Sequence, residues 1–156
     1  MAAAPQRMSR VDTAWLRMDS DVNLMMIVGI WLLRPALRYE VLCERLRTAL
    51  LRHPRFRRRV VEDALGYAWA EDEHLDIERH VSRERLATRG LRSEREALQA
   101  RAAELATEPL DRAHPLWHWH LVEDYAGGSA CIIRIHHCVG DGIALMRVLL
   151  SITDGG

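Results

Sequence analysis

The stretch CIIRIHHCVGDGIALM, Cys131 to Met146, decides the fold. An apolar, β-branched run reaching back to Ser129 reads as a strand. It ends on two adjacent histidines, crosses an aspartate set between glycines, and continues into the apolar pattern of a helix over 141–152. Side chains on a strand alternate faces, so His136 and His137 must point opposite ways. One can line a cleft while the other faces the structure behind it, which argues against a two-histidine catalytic pair. Gly140 and Gly142 permit a tight turn and positive φ. Asp141 is placed to cap the helix that follows or to meet an arginine. An imidazole beside a helix N-terminus is a credible general base, and the same helix end favours a developing oxyanion. A lone histidine at a strand end is ordinarily a hydrogen-bonded structural residue. The aspartate between glycines is what makes a functional reading competitive.

Working outward, Ser9–Met18 predicts a short helix capped by Ser9 or Asp12, with Val11, Trp15 and Met18 on one face. The run LMMIVGIWLL, 24–33, predicts a strand buried on both faces; it is about half the length of a membrane-spanning helix. Residues 39–53 carry amphipathic helical spacing closed by Pro54. FRRRVVED and GYAWAED read as two short strands about a turn at 64–66, and 74–82 as a further extended piece. Ser93 to Leu105 is a helix with a Ser N-cap and Glu96 three residues on. Trp117–Glu123 and Ser129–His136, joined by DYAGGS, predict a hairpin. Strands and helices interleave, so the expected class is α/β: a layered domain with a mixed sheet flanked by helices.

The bulk numbers are consistent with this. A chain of 156 residues suits one domain, and 49% hydrophobic with 28% charged residues is a globular composition. The formal net charge of zero argues against a nucleic-acid binder. All 22 basic residues are arginine, which excludes a lysine nucleophile. The N-terminus lacks the apolar core of a signal peptide, and the odd set Cys43, Cys131 and Cys138 sits in apolar stretches. Both features predict reduced thiols in a cytoplasmic protein.

Other constellations are weaker. His118 and His120, in HWH, share a strand face, but no metal-ligand string accompanies them, so an edge strand facing solvent is the milder reading and no metal is expected. Cys138 beside His137 points away from it on a strand, and reads as a buried thiol rather than a nucleophile. In a strand, Arg55, Arg57 and Arg59 would share a face, either solvated or touching phosphates or anionic headgroups. Trp15 and Trp31 read as core or as membrane contacts.

HHCVGDG fits His-His-x-x-x-Asp-Gly and resembles the signature of acyl-CoA-dependent acyltransferases related to chloramphenicol acetyltransferase, plant alcohol acyltransferases and peptide-synthetase condensation domains. PLDRAHPLW, 109–117, is similar to the Pro-Leu-Trp segment of bacterial wax ester synthase/diacylglycerol acyltransferases, as are the opening residues 8–27 and LRHPRFRRRVV, 51–61. The resemblance implies a chloramphenicol acetyltransferase-like domain that is one half of a two-half enzyme. The second half, with its Asn-Asp motif, has no counterpart here. It implies His137 as the general base in acyl transfer from acyl-CoA to diacylglycerol or a long-chain alcohol, with no other cofactor. His136, Asp141 and Gly142 would support the motif, Gly142 by allowing close backbone approach. Pro115, Leu116 and Trp117 would shape an acyl tunnel. Expected partners are a second-half chain or a second copy, and a location peripheral to the inner membrane or lipid bodies. The alternatives are a condensation-type enzyme using a carrier-protein thioester, which the Pro-Leu-Trp segment argues against, and a non-catalytic half that binds lipid or a partner chain.

Overall fold

The structure, a computed structural model, describes residues 4–87 and 93–153. Its centre is the expected hairpin, β6 (Trp117–Tyr125) and β7 (Gly128–His136). The reversal is tight because Ala126 and Gly127 both adopt positive φ, 48° and 76°, matching the twist of the strands. Gly128 is required there: a Cβ would collide with the carbonyl oxygen of Leu33. The sheet is completed by β2 (Met26–Leu33) beside β7 and by β5 (Val81–Glu84) beside β6. The order β2-β7-β6-β5 is antiparallel except for the parallel pair β5 and β6, so this sheet is mixed.

Two expectations change here. The HWH strand β6 is interior, not an edge. The apolar run at β2 is an edge strand, with Ile30 and Leu32 41% and 66% exposed, not a strand buried on both faces. Both faces of the sheet are nevertheless used. Trp117, Trp119, Leu121, Cys131, Ile133 and Ile135 point into the larger core, against α1 (Arg10–Met18), α2 (Tyr39–Thr48) and α4 (Gly142–Ser151). Val122, Ala130 and Ile132 point the other way, against Leu98 and Leu105 of α3 (Glu94–Ala106).

The caps follow the sequence. Ser9, not Asp12, caps α1, and Ser93 and Glu96 form a reciprocal capping box on α3. The helix expected over 39–53 stops at Thr48 and continues as two single 3-10 turns, 50–52 and 54–56, the second opened by Pro54. Residues 74–82, expected as extended chain, contain a 3-10 turn at Ile77–His80 before β5. The hairpin β3 (Arg58–Asp63) and β4 (Gly66–Glu71) leaves the main sheet and pairs with β1 (Gln6–Arg7) in a small antiparallel sheet of its own.

Candidate active site

β7 ends at His136, and His137 begins a single 3-10 turn, His137–Val139, that leads into α4. The two histidines part as expected, although the strand does not reach His137. His136 lies on the α3 side of the sheet, 4% exposed. Its Nδ1 accepts the Cys138 N–H at 3.1 Å, so the ring is neutral and its proton sits on Nε2. Burial holds its pKa below the ordinary value, against the opposing pull of Asp19. Nε2 has no hydrogen-bond partner, but the Asp19 Oδ1 lies 3.6 Å away.

His137 turns toward α1. Its backbone N–H donates to the Met25 carbonyl at 2.9 Å, and its ring stacks on Trp15 at 4.4 Å and 18°. The residue is half-buried, and Nδ1 is enclosed without a hydrogen-bond partner. Any acid–base role of the ring therefore falls to Nε2. Along the chain His137 precedes α4 by one 3-10 turn, and the partial positive charge of a helix N-terminus favours negative charge developing nearby.

Asp141 is exposed, and its Oδ1 caps α4 by accepting the Ala144 N–H at 2.7 Å. The corner does not use positive-φ glycines. Gly140 is extended at φ −179°, and the positive-φ glycines among the described residues are Gly66 and Gly127. The 3-10 turn makes the bend instead. A Cβ at Gly142 would meet no atom of the described residues within 4 Å.

Pro115, Leu116 and Trp117 are buried. The Leu116 carbonyl accepts the His136 N–H at 3.0 Å, and its side chain lines a narrow crevice with Asp19, Arg112 and His136. Trp117 is core: its Nε1 donates to the Phe56 carbonyl at 2.9 Å and its ring stacks on His80 at 4.3 Å. Cys138 is free and fully buried, its thiol pushed up to about 12 by burial, so it is not a nucleophile.

The remaining sequence candidates serve the frame. Arg134 Nε donates to His120 Nε2 at 3.1 Å, and His120 Nδ1 then donates to Ser82 Oγ at 2.8 Å. The Ser82 hydroxyl is left to donate to His118 Nε2 at 3.3 Å. Burial brings His118 down to about 4 and His120 to about 3, and both rings are committed within this chain. Among the described residues no group of three or more His, Cys, Asp or Glu side chains could hold a metal ion. Arg55 lies in a 3-10 turn, outside the strand that carries Arg59. It pairs with Asp12 at 2.8 Å, reaches the Cys138 carbonyl at 3.4 Å and covers Trp69 at 4.6 Å. It therefore braces the motif turn rather than sharing a face with Arg57 and Arg59. Trp31 packs edge-on to Trp119. Sequence reasoning missed Asp19, Arg112 and the Trp15 stack. The signal was that Trp15 and Asp19 lie in the stretch 8–27, and Arg112 in 109–117, both of which carried the resemblance.

The fold is shared with solved wax ester synthase/diacylglycerol acyltransferase and condensation-domain structures. The chain matches the wax ester synthase/diacylglycerol acyltransferase catalytic domain over residues 8–155 and belongs to that family. It is 32% identical over 156 residues to "Probable diacyglycerol O-acyltransferase tgs3" of Mycobacterium tuberculosis, covering 95% of this chain and 56% of that protein. It is 27% identical over 135 residues to "Wax ester synthase/diacylglycerol acyltransferase 5" of Arabidopsis thaliana, covering 81% of this chain and 26% of that one. The solved wax ester synthase/diacylglycerol acyltransferase of Marinobacter aquaeolei VT8 superposes with TM-score 0.68 at 27% identity, over 90% of this chain and 36% of that one. The starter condensation domain of rhizomide synthetase, seen with C8-CoA, superposes with TM-score 0.76 at 17% identity, over 95% and 34%, a likeness of fold. The chain thus spans about half the length of its Mycobacterium relative and about a third of the solved structures.

Proposed function

We propose that this chain is the histidine-bearing part of an O-acyltransferase that moves a fatty acyl group from acyl-CoA to diacylglycerol or a long-chain alcohol. The observation that carries the reading is the His137 ring: half-buried, seated on Trp15, with Nδ1 enclosed, one 3-10 turn before α4 in the chain. His137 takes the proton of the acceptor hydroxyl, and the oxygen attacks the thioester carbonyl. The tetrahedral intermediate collapses with loss of the CoA thiolate, to which the imidazolium returns its proton. Neither a metal nor an acyl-enzyme is needed for this sequence. Asp141 serves it by ending the turn and starting α4, and His136 by holding the Cys138 backbone.

The passage for the two substrates needs a second wall. The exposed apolar stripe Ile143, Met146 and Leu150, which runs along α4 away from the motif, suits a second-half chain or a second copy. Leu116 is buried, and its crevice beside His136 is too small for an acyl chain, so in this reading the Pro-Leu-Trp segment supports the passage from behind rather than lining it. The acceptors are water-insoluble, so the reaction belongs at the surface of the inner membrane or a lipid body. Among the described residues no helix is long and apolar enough to cross a membrane.

The test is transfer of a radiolabelled acyl group by the chain alone, and by the chain completed with the remaining part of the Mycobacterium relative. Labelled triacylglycerol or wax ester formed from acyl-CoA supports the reading. Product from an acylated carrier protein but not from acyl-CoA makes it a condensation-type enzyme. No product from either donor in the completed protein leaves a non-catalytic half.

A further inference from the structure

Asp19 sits at the end of α1 and plays no part in the sequence reading. Its carboxylate is only 13% exposed, yet three groups converge on it. Oδ1 accepts the Met25 N–H at 2.7 Å and faces His136 Nε2 at 3.6 Å, while Oδ2 takes the Arg112 guanidinium at 2.9 Å. Burial works against its charge, but the Met25 amide and Arg112 outweigh it and keep the carboxyl below its ordinary pKa.

The two lines leaving Asp19 meet again at His137. One runs through Met25, whose N–H is held by Asp19 and whose carbonyl accepts the His137 N–H at 2.9 Å. The other runs through His136, whose Nε2 proton points at Asp19 and whose Nδ1 accepts the Cys138 N–H at 3.1 Å. Asp19 therefore grips the backbone at His137 and immediately after it. The 3.6 Å separation is too long for a hydrogen bond, so Asp19 acts on the His136 ring through its charge.

We propose that Asp19, charge-balanced by Arg112, is a positioning residue: it fixes the His136 tautomer and, through Met25 and His136 together, sets the turn that presents the His137 ring. The proposal rests on the acyltransferase reading only for its catalytic consequence. The brace itself is read without any turnover.

The test is NMR on the 156-residue chain carrying Asp19→Asn. This isostere keeps an acceptor for Met25 but removes the charge facing His136 and turns an amide N–H₂ toward Arg112. In the unsubstituted chain the His136 ring nitrogens should report a single Nε2–H tautomer, and the His137 ring protons should be displaced by the Trp15 ring. In Asp19→Asn the tautomers should mix, the His137 ring shifts should relax, and exchange of the Cys138 amide should rise about tenfold, the worth of one hydrogen bond to a ring nitrogen. Asp63→Asn, in the surface ion pair with Arg7, should change none of these. If Asp19→Asn does not fold, Asp19→Ser, which also removes the charge facing His136, carries the same expectations. His136 tautomer, Cys138 exchange and His137 shifts all unchanged in the folded variant overturn the proposal. In the completed enzyme, Asp19→Asn should lower kcat with KM unchanged. Changed spectra in a protein whose unsubstituted form transfers no acyl group would uphold the brace and reject the acyltransferase reading. Unchanged spectra in an active enzyme would do the reverse.

Discussion

At the scale of single residues, the histidines divide by what their neighbours ask of them. His137 is half-buried against Trp15. His136, His80, His118 and His120 are turned inward, and burial lowers all four. The direction fixes a pH dependence. From the ordinary 6.5 downward the unfolded chain takes up protons that the folded rings refuse until about 4 at His118 and about 3 at His120. The stability they contribute is therefore intact above 6.5 and is lost as pH falls through that window, at about 1.4 kcal/mol per pH unit per fully displaced proton. Thermal denaturation across this range should show Tm falling steadily below pH 6.5, and His120→Gln should flatten the slope; a flat profile in the unsubstituted chain would contradict the network. The pair of histidines was legible in the sequence; strand alternation sets the side of His136, whereas His137 is turned by the 3-10 turn it begins. Asp19, Arg112 and Trp15 were not legible. Their meaning comes from contacts across long stretches of chain, such as Asp19 with Arg112 and His136, which no periodicity encodes.

At the scale of elements, caps and turns were readable because they depend on a few adjacent residues. Asp141 is the instructive case. The sequence left it as cap or arginine partner, and the structure makes it the α4 cap. A cap needs an acceptor oxygen rather than a charge, so Asp141→Asn should leave stability nearly unchanged and Asp141→Ala should cost about 1 kcal/mol, measured by chemical denaturation. Equal losses in both variants would assign the residue a charge-dependent role instead. Strand environment was harder to read. The run 24–33 is apolar enough for a central strand, yet β2 is an edge. HWH looked like an edge, yet β6 is interior, because Ser82 and Arg134 satisfy its histidines under α3. A sequence shows how apolar a strand is. It does not show which polar partners arrive from elsewhere.

At the scale of the molecule, an α/β class with a mixed sheet was legible from alternating elements, whereas the separation of β3 and β4 into a sheet with β1 was not. The feature that matters most for function is the uncovered stripe on α4, with Ile143, Met146 and Leu150 all more than half exposed at 73%, 53% and 52%. Met146→Glu with Leu150→Glu should reduce self-association of the isolated chain in sedimentation while leaving its Tm within about 2 °C, since surface changes cost little; unchanged association would place the contact elsewhere. Such a surface, on a chain that matches about half of its Mycobacterium relative, accords with a tunnel built from two parts. The most direct measurement is the acyl-transfer rate of the completed protein with His137→Gln beside the unsubstituted form, both checked for the same Tm. The account expects kcat to fall by about 10²–10⁴, the usual worth of a positioned general base. Turnover within a factor of a few of the unsubstituted protein would contradict it and remove His137 from the chemistry.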